Sequence, residues 1–146
     1  MRGVIEAVCI SNNKGERKTP VLRVTLLPDH GIAGDAHAGE WHRQVSILAL
    51  ESIEKMRRLG LSVTAGDFAE NITTKGLDLV SLPIGTKLVL GEAVVEVTQI
   101  GKECHNRCAI FYQAGDCVMP KEGIFARVLQ GGDVKPGDAV EIKSIP

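Results

Sequence analysis

The chain has 146 residues, a formal net charge of −1 and 44% apolar residues, of which aromatics supply only 3% of the chain. That length suits one domain, expected over residues 1–146, and needs no disulfide or metal staple to fold; its core has to be aliphatic. Interspersed charges disfavour nucleic acid as main partner, no apolar run nears the roughly 18 residues of a membrane span, and MRGVIEAVCI lacks the long apolar stretch and cleavage site of a signal peptide, so a cytoplasmic location is expected.

Residues 2–10 alternate loosely and predict a strand. SNNKGERKT, 11–19, reads as a polar hairpin loop, and 21–27 as a second strand. GIAGDAHAGEWHR (31–43) is a loop with three glycines and the sole tryptophan. The apolar run 45–49 leads into one convincing helix, about 49–59. Ala49, Ile53 and Met56 share its buried face. Glu51–Lys55 and Glu54–Arg58 are placed as i,i+4 pairs, and Gly60 is the expected stop. Residues 68–73 predict a strand. LPIGTKLVLGEAVVEVTQI (82–100) supplies two more, with turns at 83–85 and 91–92. Residues 124–129 and AVEIKSI (139–145) complete the set. IGTKLVL and PGDAVEI share a glycine turn followed by an alternating strand, which suggests a barrel entered from similar corners.

Three of the four cysteines fall in GKECHNRCAIFYQAGDC, 101–117. In a reducing compartment thiols or metal ligands are expected over disulfides. Cys9, on the first strand, reads as core.

Several pieces then occur in one order: GIAGDAHAG (31–39) with RQVSIL (43–48), GDFAENI (66–72), LPIGTKLVLG (82–91), GKECH (101–105), GIFARVL (123–129) and GDAV (137–140). Together they resemble the MOSC domain family, named for the C-terminal region of molybdenum cofactor sulfurases. The resemblance runs from about residue 20 to the end. It implies a mainly β fold with a few helices, similar to the pyruvate-kinase-type β-barrel. It also implies a role in molybdenum-cofactor or sulfur-transfer chemistry. In the family one cysteine is proposed to carry sulfur as a persulfide or to ligate molybdenum, and the matching position is Cys104. The familiar proline before that cysteine is Glu103 here, and Cys108 and Cys117 are additional. No pyridoxal-phosphate (PLP) desulfurase domain and no preceding β-barrel domain are expected in this chain. A separate PLP-dependent cysteine desulfurase, or another sulfur donor, is therefore the implied partner.

Lys102, His105 and Arg107 flank Cys104, and cationic neighbours lower a thiol pKa from about 8.5 toward the reactive thiolate. A buried structural cysteine is the competing reading. Cys108 follows at C-x3-C spacing. It suits a resolving thiol, a fourth-ligand partner of Cys104, His105 and Cys117 at a metal site, or plain packing; zinc ribbons usually pair C-x2-C motifs. If a short helix starts at Asn106, Arg107 sits near its positive end and favours an anion. In the glycine-rich loop, His37 and Arg43 are candidate ligand contacts, Arg43 as a bidentate donor to phosphate or a pterin oxygen. Asp35 either joins them or satisfies turn amides. Asn71 is a cofactor-site candidate or a turn brace.

The expected function is that of a sulfur carrier or sulfurtransferase. Cys104, helped by Cys108, receives sulfane sulfur and passes it to molybdopterin in a molybdenum-cofactor protein, or to a small-molecule acceptor. Lys102, His105 and Arg107 keep the thiolate charged, while His37, Arg43 and Asn71 bind the anionic acceptor. Two alternatives stand beside it. One is a cofactor-holding module or chaperone with Cys104 as molybdenum ligand. The other is a metal-stabilised structural domain without chemistry.

Overall fold

The computed structural model describes residues 2–14, 16–101 and 122–146. Eleven strands and one helix are found among them. They run β1 (Arg2–Ile10), β2 (Thr19–Val21), β3 (Val24–Leu27), β4 (Gly31–Ile32), β5 (Val45–Ala49), α1 (Leu50–Arg58), β6 (Ile72–Lys75), β7 (Lys87–Leu90), β8 (Ala93–Ile100), β9 (Ile124–Gln130), β10 (Gly132–Val134) and β11 (Ala139–Ser144).

Seven strands close a barrel in the order β11-β7-β8-β9-β5-β6-β1, and pairing of β1 with β11 completes the ring. Closure removes the exposed edges that an open sheet would leave. Every barrel pair is antiparallel except β5–β6. The parallel step needs a crossover, and α1 lies on it. A small sheet, β10-β3-β4, lies beside the barrel.

Side-chain alternation divides the apolar residues between two clusters. Val45 and Ile47 of β5 and Ile124, Ala126 and Val128 of β9 face the barrel interior with Ile5, Leu88 and Val95. Leu48 and Phe125 point the other way and pack with Ile53, Met56, Val63 and Phe68 beneath α1. Strand β5 is therefore buried on both faces, which explains why it reads as a continuous apolar run instead of an alternating one.

The helix ends as expected. Gly60 has φ +94°; its N–H donates to Arg57 O and that of Leu61 to Met56 O. This is the paired C-terminal closure that a left-handed glycine permits. The i,i+4 ion pairs do not form. Glu51 accepts from the Gly76 N–H and Lys55 pairs with Glu122, so tertiary partners outcompete the weak intrahelical ones.

Three other expectations are corrected. The strand expected over 21–27 is two strands in different sheets, because the chain bends at Leu22-Arg23 to leave β1 and join β10. Leu22 is consequently 92% exposed. Residues 68–71 are not strand; β6 begins at Ile72, after a turn in which Gly66 (φ +90°) and Ala69 (φ +62°) are left-handed. A Cβ at Gly66 would meet Lys18 O at 2.1 Å, so this turn has to approach the Lys18 backbone with no side chain. Finally, β7 and β11 are antiparallel neighbours, so their similar glycine turns lie at opposite barrel ends.

Candidate functional site

The loop between β4 and β5 is organised around a buried ion pair. Lys18 and Asp35 side chains are fully buried, with Nζ 2.7 Å from Oδ1. Asp35 Oδ1 also accepts the Ser11 N–H at 3.1 Å, and Oδ2 the His37 N–H at 3.0 Å. Burial pushes the Asp35 carboxyl up. The Lys18 hydrogen bond, the Ser11 and His37 amides and the Lys18 charge more than reverse that, leaving its pKa below the ordinary value. The Lys18 ammonium spends its other donors on Ser11 Oγ and His37 Nδ1, each at 3.0 Å. An ammonium only donates, so His37 Nδ1 accepts and the neutral ring carries its proton on Nε2. The aspartate thus satisfies turn amides, as one reading had it, and sets the orientation of His37 as well.

His37 in turn holds Trp41, whose Nε1–H donates to the His37 carbonyl at 2.8 Å. The two rings are nearly parallel, 6° apart, with centroids 6.5 Å from each other. The Arg43 guanidinium lies 4.5 Å from the Trp41 centroid and 5.6 Å from that of Phe125. Lys14 Nζ lies 5.0 Å from the same indole. His42 meets the indole edge-on and bonds Gln99 Oε1 through Nε2 at 2.8 Å. Thr98 Oγ1 donates to the His42 carbonyl, and Gln99 Nε2 to the Gly101 carbonyl at 2.7 Å.

These contacts stitch the loop to the far end of β8 and the start of β9. There Gly101 N–H donates to Gly123 O at 2.6 Å. The candidate residues Lys102, Cys104, His105, Arg107 and Cys108, and also Cys117, lie outside the described residues. Their chain segment leaves at Gly101 and returns at Glu122, which accepts from Ser52 Oγ and Lys55 Nζ on α1.

His37 and Arg43 therefore sit on one loop around Trp41, while Asn71 is elsewhere. Its side chain is fully buried. Oδ1 accepts from Ser46 N and Oγ, and Nδ2 donates to Cys9 O at 3.1 Å. Asn71→Ala would strand the Ser46 N–H and the Cys9 carbonyl. It is expected to cost about 2 kcal/mol of stability in a denaturant titration while leaving ligand affinity unchanged. An affinity loss in still-folded protein would instead make Asn71 a contact residue.

Next to it, Glu70 is fully buried with no cation among its bonds. Oε1 accepts from Gly66 N and Phe68 N, and Oε2 from Thr73 Oγ1. Burial pushes its pKa up to about 7 against the pull of those donors. The Cys9 thiol is also buried. Desolvation, then the Glu70 charge, pushes it up to about 12, so it stays a thiol in the core. A cavity of about 630 Å³ lies apart from the loop, between α1 and residues 76–80. Among the described residues no three His, Cys, Asp or Glu side chains gather to hold a metal.

Lys18 and Trp41 were not legible as site residues. Lys18 belongs to a polar run that reads as solvated, and nothing local marks its burial. Trp41 carried one signal, as the sole tryptophan inside the glycine-rich loop.

A closed barrel with a cationic, aromatic loop at the root of a cysteine-bearing segment defines a small β-barrel module, with one helix among the described residues. The chain belongs to the MOSC domain family, whose model matches residues 34–141. No curated protein matches it. Its fold is similar to that of the YuaD protein from Bacillus subtilis, with a TM-score of 0.82 at 19% identity over 97% of this chain and 96% of that one. YiiM from Geobacillus stearothermophilus gives 0.71 at 24% identity, covering 97% and 75%. YiiM from Escherichia coli gives 0.69 at 21%, covering 99% and 70%. At these identities the likeness is one of fold. No helix among the described residues is long and apolar enough to cross a membrane.

Proposed function

We propose that this MOSC protein carries sulfane sulfur on Cys104 and hands it to an anionic acceptor, a metal–pterin cofactor or another small molecule, bound beside Arg43 and His37. One observation carries the reading. The Gly101–Gly123 hydrogen bond fixes the root of the cysteine segment at the same barrel end as His42, Arg43 and Trp41. Cys104 follows Gly101 by three residues, and three residues span at most about 11 Å. The segment that carries the thiol is thereby rooted beside an indole over which Arg43 and Lys14 lie, while Asp35 is neutralised by Lys18.

The chemistry is a thiolate exchange. Cys104 S⁻ attacks the terminal sulfur of a donor persulfide, formed on a cysteine desulfurase. A new S–S bond forms on Cys104, the donor S–S bond breaks, and the donor leaves as thiolate with its electron pair. An acceptor thiolate then attacks the terminal sulfur and Cys104 departs as thiolate, with no net redox change. Lys102, His105 and Arg107 favour the thiolate at both stages, and Cys108 is the nearest second thiol in sequence. Arg43 suits the phosphate or ring oxygens of a molybdenum–pterin acceptor as a bidentate donor.

The test is an intact mass after incubation with a cysteine desulfurase and cysteine. Wild type is expected to gain the mass of one sulfur atom, reversibly with thiol. Cys104→Ser loses the adduct and Cys108→Ser keeps it. No adduct on Cys104 with any donor removes the proposal. Molybdenum retained through Cys104 without an adduct would support the cofactor-holding alternative, and one equivalent of zinc the structural one.

A further inference from the structure

The turn before β6 reaches the loop around Trp41 through Lys18. Gly66 O accepts the Lys18 N–H at 2.8 Å, and the bare Gly66 Cα lies against the Lys18 carbonyl with no room for a Cβ. At the other end of the same residue the ammonium holds Ser11, Asp35 and His37. His37 in turn holds the Trp41 indole through its carbonyl. The Lys18 backbone thus belongs to the turn and its side chain to the loop.

One carboxyl holds the turn. Glu70 Oε1 accepts from Gly66 N and Phe68 N at 3.0 and 3.2 Å, and Oε2 from Thr73 Oγ1 at 3.1 Å. Between them Ala69 is left-handed at φ +62°, a conformation that an L-residue keeps only where its surroundings impose it. Glu70 is fully buried, and all three of these donors are neutral. The ionisable groups around this turn are the Cys9 thiol on β1, Lys18 and Asp67. Lys18 is spent on Asp35, and Asp67 faces Arg17 at 3.7 Å. On α1, Arg57 is spent on the Val63 carbonyl at 2.8 Å. None of these cations bonds Glu70, so a charge on it is relieved by admitting water. Burial accordingly raises its pKa to about 7.

We propose that the turn at 64–70 is a proton-sensitive clasp: when Glu70 gives its proton to solvent the turn opens, lets go of the Lys18 backbone and slackens the His37–Trp41 loop at the root of the cysteine segment. The open turn ionises near the ordinary 4.5 and the closed turn near 7. Opening is therefore favoured by up to about tenfold per pH unit between those values and little further above them. Asp35, held below the ordinary carboxylate value, and Cys9, pushed up to about 12, keep their charge state across that window. The clasp would tie the exposure of the site to pH near neutrality. It rests on the sulfur-carrier reading only for the role given to the loop, since opening needs neither sulfur donor nor acceptor.

Hydrogen exchange read by NMR in wild type and Glu70→Gln tests it. The chain has one tryptophan, so the indole N–H signal reports on Trp41 alone. In wild type, protection of the Gly66, Phe68, Lys18 and His37 amides and of the Trp41 indole N–H is expected to fall together, by about 40-fold between pH 5 and 7, and to level off by about pH 8. Low urea should change these rates little, which marks local opening. The Val95 amide in the barrel wall should stay better protected at every pH. Glu70→Gln should hold the turn and loop signals flat over the same range. Both proteins carry the same histidines, so histidine titration cancels in the comparison. Three results would overturn the clasp. Loss of protection confined to Gly66 and Phe68 would show that the turn opens without the loop. The same pH profile in Glu70→Gln would remove Glu70 as the cause. A fall that matches Val95 in size and urea dependence would reduce the effect to global unfolding. None of these touches the persulfide adduct on Cys104, and an absent adduct leaves the exchange result standing.

Discussion

Replacing Lys18 by methionine is expected to destabilise the fold by about 3–5 kcal/mol, the usual cost of removing one partner from a buried ion pair. Both side chains are fully buried and 2.7 Å apart. Without the ammonium, Asp35 keeps only the amides of Ser11 and His37, too few donors for a carboxylate out of water. Its depressed pKa should then rise, so the variant should lose further stability above the carboxylate range. Asp35→Asn leaves the complementary fault, a buried ammonium facing Ser11 Oγ and His37 Nδ1, and should cost a similar amount. The Lys18→Met/Asp35→Asn double variant should recover a large part of either loss, because no unpaired charge remains. Urea titrations of the four proteins at one pH give the coupling directly. Additive losses would show that the two groups act separately.

That pair marks where sequence reasoning reaches its limit. The strands were legible because their determinants are local, whereas the barrel was expected from the family resemblance, since the similar glycine turns of β7 and β11 lie at opposite ends. Alternation marks β8, β9 and β11, glycine turns separate β7 from β8, and the stop at Gly60 closes α1. The split of 21–27 was not legible, because Val21 and Val24 belong to different sheets and only their long-range partners on β1 and β10 say so. The same holds for Lys18. In the run SNNKGERKT it resembles Lys14 and Arg17, yet those stay exposed while it is buried against a loop 17 residues away. Arg43 and His37 could be marked from a glycine-rich loop with family resemblance, but the indole between them acquires meaning only once the ring contacts are known. Asn71, in the turn before β6 and singled out by the same resemblance, turns out to bind backbone on two strands. Glycine-rich motifs thus mark tight packing as readily as ligand approach.

The second large effect concerns pH. Glu70 has a folded pKa of about 7 against 4.5 for the free side chain. A carboxyl whose pKa is raised by folding contributes stability that is fully present below about 4.5 and lost as pH climbs through about 7. The difference corresponds to about 3 kcal/mol. Asp35 has the opposite sign: its pKa is lowered, so its contribution is present above the ordinary carboxylate range and is lost as pH falls through its folded value. Between these two limbs the protein should be most stable at mildly acidic pH and should weaken toward pH 8. Glu70→Gln tests the basic limb. A glutamine carbonyl can keep the Gly66 and Phe68 amides, and its amide can donate to a Thr73 hydroxyl turned to accept. The variant should match wild type near pH 5 and exceed it by about 3 kcal/mol near pH 8, with the slope between them abolished. The Cys9 thiol, pushed up to about 12 by burial and then by the Glu70 charge, should react slowly in wild type and only marginally faster in the variant. Parallel stability–pH curves for the two proteins would show that Glu70 ionises normally, and that water reaches the turn before β6.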